Sequence, residues 1–155
     1  MELAELFRGR NFDIKASLRR LKELAEQEGL EFGERTKTYN SRLAQELGKW
    51  AETQPGGQGI HQLLYKAYFA DGINLADVDQ LVAIAESLGL DGNEARSILK
   101  ERKFSEAVDK DWNRCRSLGI TAVPTYLCDS QYLIGAQTQQ ALAELVISRG
   151  AEKKD

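Results

Sequence analysis

The sequence changes its period once, and that change limits what it can build. Between Asp13 and Gly119 helical periodicity dominates, with apolar residues three or four positions apart in several segments, the spacing of helices with one buried face. Thr121-Ala-Val-Pro-Thr-Tyr-Leu-Cys128 breaks the pattern: it is short, rich in β-formers and interrupted by Pro124. Asp129-Ser130 supplies a two-residue turn and Gln131-Tyr-Leu-Ile134 a second strand, so the pair reads as a β-hairpin. A two-stranded ribbon is marginal alone and needs helix cover or further strands. The fold class expected is α/β and mostly helical, with a sheet small for the helices around it.

The helical part is well punctuated. Asp13 is placed to cap a helix carrying Ile14, Leu18, Leu21 and Leu24 on one face and closed by Gly29. Residues 30–39 read as irregular or extended. Asn40 or Ser41 caps a helix with Leu43, Leu47 and Trp50, and Gln54-Pro-Gly-Gly-Gln-Gly59 is the clearest loop. A helix follows with Ile60, Leu63, Leu64, Ala67 and Tyr68 inward. Asp77 caps the next, which stops at Gly89, and Asp91-Gly-Asn-Glu94 reads as a capping box. Phe104, Val108, Trp112, Cys115 and Leu118 share the face of a further helix, and Thr138 caps the last. The charged tail from Ala151 to Asp155 is expected to fray.

Composition removes some functions. The chain has 155 residues, 42% hydrophobic and 29% charged, which suits one soluble domain with a sizeable core. A formal net charge of −3 argues against a nucleic-acid partner. No apolar run approaches the about 18 residues of a membrane span, so no membrane partner is expected. The first residues lack a basic patch followed by an apolar stretch, so a cytoplasmic location is expected. The two cysteines, Cys115 and Cys128, have twelve residues between them, which is neither a Cys-x-x-Cys pair nor zinc spacing. With one histidine, His61, a multi-histidine metal site is excluded. No metal and no cofactor are expected.

The stretch from Gly119 through Val123-Pro-Thr125 to Gly135-Ala-Gln137 resembles the C-terminal signature of the DsbA family, and most closely its FrnE-like branch. Tyr39-Asn-Ser-Arg-Leu-Ala44 resembles the entry to that family's helical insertion, with Gln45 where the family often has histidine. Tyr65-Lys-Ala-Tyr-Phe-Ala-Asp-Gly72 and the box at Asp91 also fit the insertion. The resemblance implies a single DsbA-like domain over 1–155. It has a helical insertion at 40–103 and the C-terminal part of a thioredoxin fold, hairpin and helix, at 104–150.

Family members open with a strand, a Cys-x-x-Cys at a helix start and a second strand. None of these is in the sequence, which reads as N-terminally truncated relative to the family. Neither Cys115 nor Cys128 matches the attacking cysteine. The resemblance therefore implies no catalytic residue here and makes enzymatic activity an open question. It implies substrate binding by Val123, Pro124 and Thr125. Base rates favour a trans proline at a strand edge; the resemblance implies that Pro124 is cis and that the backbone of Val123 bonds an extended peptide.

The remaining candidates have plain readings. Both cysteines are expected to be buried thiols packing as small hydrophobes, with a disulfide or one reactive thiol as the alternative. His61 is expected in solvent at a first turn. Trp50, Trp112, Tyr65 and Tyr68 sit at core spacing, and Lys100-Glu-Arg-Lys103 reads as a solvated helix end. Gly56, Gly57 and Gly59 lack the strand that a phosphate-binding motif needs.

Three functions remain. The first is a thiol–disulfide oxidoreductase relative, redox-inactive as this chain, whose intact form takes protein or peptide thiols. The second is a relative of the glutathione-dependent 2-hydroxychromene-2-carboxylate isomerases. The third is a non-enzymatic protein that binds a partner or forms a homodimer through an open sheet edge, with Phe7, Phe12, Val123 and Tyr126 at stake.

Overall fold

The computed structural model describes residues 1–9 and 11–152. Its elements are α1 (Leu3–Leu6), α2 (Ile14–Gln27), α3 (Arg42–Ala51), a 3-10 turn (Gly57–Gly59), α4 (Ile60–Phe69), α5 (Val78–Ser87), α6 (Gly92–Lys100), α7 (Ser105–Ser117), β1 (Thr125–Cys128), β2 (Gln131–Ile134) and α8 (Gln139–Ile147). Two compact units result, Met1–Val108 and the residues from Asp109 onward. Of the charged tail, the last three residues lie outside the described ones.

The first unit is built on α3, α4, α5 and α6. Leu47, Trp50, Ile60, Leu81, Ala85, Ala95 and Leu99 fill its centre. Caps set where these helices begin. Asp77 Oδ1 accepts from the N–H of Asp79, and Asp91 Oδ1 from those of Asn93 and Glu94. At α3 the Asn40 side chain accepts from Arg42 N, so Asn40 rather than Ser41 makes the bond. The expected capping box at Asp91 closes from one side: the Glu94 carboxylate turns to the indole N–H of Trp50, 3.2 Å away. A buried indole thereby keeps a partner for its donor.

The loop after α3 folds back tightly. A Cβ on Gly57 would stand 1.8 Å from the carbonyl oxygen of Ala51, a backbone atom that cannot swing aside. Glycine is there for close approach, not to hold a phosphate. α2 is amphipathic as its periodicity implies, yet none of its residues is buried, and Leu21 and Leu24 are exposed.

Several helices in this chain end on a left-handed residue, usually glycine. At Gly89 (φ +80°) the N–H bonds Glu86 O and that of Leu90 bonds Ala85 O, the paired bonds of a Schellman cap. α6 ends with the same pair of bonds, Arg102 N to Leu99 O and Lys103 N to Ile98 O, but the left-handed residue is Arg102 at φ +55°. An arginine there is disfavoured by about 1–2 kcal/mol relative to a right-handed conformation, so something must hold it.

Glu46 holds it. This carboxylate is fully buried in the middle of α3. Arg102 donates from Nε to Oε2 at 2.8 Å and from Nη2 to Oε1 at 2.6 Å, while Arg42 Nε reaches Oε1 at 2.9 Å. Arg42 Nη2 continues to Ser105 O at 2.7 Å. The expectation of a purely solvated helix end at 100–103 is thus corrected at Arg102.

In the second unit, β1 and β2 pair antiparallel with Thr125 opposite Ile134, Tyr126 opposite Leu133, Leu127 opposite Tyr132 and Cys128 opposite Gln131. The turn places Asp129 at φ +53°, which its short polar side chain tolerates. Two expectations fail in packing. Trp112 and Tyr65, expected in the core, are 44% and 66% exposed. Cys115, expected buried, is exposed, and every residue from Asp109 to Gly119 is exposed with it. Periodicity marks an apolar face but does not say what covers it.

Candidate functional site

The Val123–Pro124 peptide bond is cis. Val123 projects into solvent at 91% exposure, and its N–H and C=O have no hydrogen-bond partner among the described residues. The residues on either side are fixed. Thr125 Oγ1 donates to Ala122 O at 2.7 Å, bracing the loop across Val123 and Pro124. Gly135 N donates to Pro124 O at 2.8 Å, extending the ladder one step beyond β1. The loop is an exposed backbone segment between two anchors.

Register says which groups of β1 face outward. A two-residue turn makes Cys128 and Gln131 the closing hydrogen-bonded pair, so Tyr126 and Leu133 form the next. Thr125 and Leu127 then aim their N–H and C=O away from β2. The sheet has two strands among the described residues, so nothing pairs with that edge. Tyr126, Tyr132 and Ile134 are exposed around it. Tyr132 is tethered, its hydroxyl donating to Leu118 O at 2.8 Å.

Cys128 is the last residue of β1, next to Leu127, and Cys115 lies on α7. Cys115 and Cys128 are free, the first exposed and the second half-buried. His61 stands in solvent over Gly48 and bonds the Glu52 carboxylate at 3.0 Å. Among the described residues no three His, Cys, Asp or Glu side chains cluster to hold a metal, and no helix is long and apolar enough to cross a membrane. The titration of Glu46 is perturbed. The Arg102 guanidinium bonded to it holds its carboxyl below the usual range, Arg42 assists, and burial opposes them.

The sequence model of the DSBA-like thioredoxin domain matches residues 6–146, nearly the whole chain. The chain belongs to that family. It is 29% identical over 113 residues to YwbO, an uncharacterised protein of Bacillus subtilis (strain 168). That match takes in 72% of this chain and 56% of the relative, so the chain spans about half of the curated relative it matches. A crystal structure of a probable DsbA oxidoreductase from Streptomyces coelicolor superposes with a TM-score of 0.81. It is 24% identical, and the superposition covers 98% of this chain and 70% of that one, which shows a shared DsbA-like fold.

Val123, Pro124 and Thr125 stand together in one braced loop. Glu46 and Arg102 escaped the sequence reading. Glu46 lies on the apolar stripe of α3, one position before Leu47, and a carboxylate there was the available signal.

Proposed function

We propose that these residues form the peptide-binding side of a DsbA-like thiol–disulfide oxidoreductase of the FrnE-like branch. As a 155-residue polypeptide it holds extended peptide without exchanging thiols. The observation that carries this is the open backbone of Val123 beside the outward N–H and C=O groups of Thr125 and Leu127. An extended peptide adds to such an edge by main-chain hydrogen bonds, which is affinity without sequence demand. Thiol exchange needs an activated thiolate with a second sulfur within reach. The sequence has no Cys-x-x-Cys, and Cys115 and Cys128 lie outside the loop.

The test is turnover. Insulin reduction and dithiol oxidation by the polypeptide are expected at background. Turnover that disappears with Cys115→Ser or Cys128→Ser would name a nucleophile and overturn the proposal. Turnover that survives both substitutions would overturn it as well.

The same open edge favours a second, non-enzymatic reading, in which two copies pair β1 to β1. Sedimentation separates them. A dimer that dissociates when a charged residue replaces Tyr126 supports pairing of copies; a monomer at all concentrations removes it.

A further inference from the structure

The first unit carries a cleft built from residues that the proposed function does not use. The segment from Glu31 to Tyr39 is pinned on both sides. Gly33 N donates to Phe69 O at 2.9 Å, and a Cβ at Gly33 would stand 2.1 Å from Ala70 O, so backbone meets backbone there. Leu3 N donates to Thr36 O at 2.7 Å and Thr38 N to Met1 O at 3.0 Å. Between these anchors the Arg35 guanidinium lies 4.2 Å above the Tyr68 ring and 5.0 Å from that of Phe69. Tyr68 is itself fixed, with its hydroxyl 3.0 Å from Thr38 Oγ1 and its ring edge-on to Phe69 at 4.9 Å.

Arg35 is half-buried and stacked, yet among the described residues its N–H groups have no acceptor and its charge no carboxylate. Arg42, Arg96 and Arg102 all bridge acids, in a chain with 24 acidic residues. Lys37, Tyr39 and Glu34 complete the cleft around Arg35.

We infer that this cleft binds a carboxylate group of a peptide, with Arg35 as the reading residue. A guanidinium locked on an aromatic face loses little freedom on binding and presents a planar fork that fits a carboxylate in two parallel bonds. The Tyr39 hydroxyl has no partner among the described residues and supplies a further donor at the cleft wall. Glu34 chooses between anions. One negative charge at the rim tolerates a singly charged carboxylate and disfavours a phosphate dianion. The inference is independent of the thiol reading.

The test uses the whole chain and follows the backbone amide resonances of Lys37 and Tyr39 in the cleft lining, which every variant keeps. The probes are acetyl-Gly-Glu-Gly-amide, acetyl-Gly-Gly-Gly with a free C-terminus, acetyl-Gly-Gln-Gly-amide and inorganic phosphate. Saturable shifts are expected with the first two, and the tighter of them names the source as side chain or C-terminus. Arg35→Gln weakens binding about tenfold or more, and Glu34→Gln tightens it by about twofold to fivefold. Arg35→Lys keeps charge and stem but loses the fork, so it also weakens binding; it carries the test if Arg35→Gln unfolds. Equal shifts with the glutamine probe, phosphate binding tighter than either carboxylate, or undiminished affinity in a folded Arg35→Gln or Arg35→Lys chain would overturn the inference.

Discussion

Arg102 grips both oxygens of Glu46, at 2.8 and 2.6 Å, from a backbone position with φ +55° that glycine usually fills. The bond joins the end of α6 to the middle of α3. It offsets the backbone preference it works against, and it leaves the carboxylate with charged partners on both oxygens.

Removing the carboxylate alone exposes the dependence. Glu46→Ala leaves Arg42 and Arg102 facing a vacated apolar site. Loss of one partner of a buried pair costs about 3–5 kcal/mol. Arg102 is half-exposed and recovers hydration, so the expected loss is about 2–3 kcal/mol. Urea unfolding measures it, with the midpoint falling at unchanged slope.

Acid should reproduce part of that loss. The folded carboxyl of Glu46 titrates below its unfolded value, held there first by Arg102. Its contribution is complete above the unfolded value, about 4.3, and disappears as pH falls through the lower folded value. The stability gap between the native chain and Glu46→Gln is therefore flat from pH 8 to pH 5 and narrows below about pH 4.3. A gap that widened in acid would reverse the assigned direction.

Backbone and side chain separate at Arg102. Arg102→Ala and Arg102→Gly both lose the ion pair, but glycine adopts positive φ freely. Thermal or urea unfolding should find the glycine variant more stable than the alanine variant by about 1 kcal/mol. Equal stabilities would mean the left-handed conformation is not retained.

At Gly57, one methyl is expected to matter. It would meet Ala51 O at 1.8 Å, so Gly57→Ala destabilises the first unit by about 1–3 kcal/mol through forced backbone movement. Urea unfolding of this single variant checks it.

The helices and the hairpin were legible because their signals are local: caps at Asp13, Asp77 and Asp91, glycines at helix ends, and a change of period at Thr121. The Val123–Thr125 loop was legible through family resemblance alone. What escaped depends on contacts between distant residues. Arg102 sits among charges that look solvated, and its partner is 56 positions away. Glu94 fits a capping box, but the Trp50 indole competes for it. Trp112 and Cys115 have core spacing on a helix that, from Asp109 on, buries nothing. Arg35 lies in a segment without regular structure, and its aromatic support comes from α4.

The claim that an open edge runs from Val123 along β1 is tested most directly by amide hydrogen exchange at Val123, Thr125 and Leu127. The probe is an unfolded, cysteine-blocked peptide, S-carboxymethylated insulin B chain, present or absent. All three amides should exchange freely in the chain alone and become protected with peptide, and Val123→Pro, which removes one donor, should weaken that protection. Amides of Thr125 and Leu127 already protected without peptide at every protein concentration, or unchanged at saturating peptide, would contradict it.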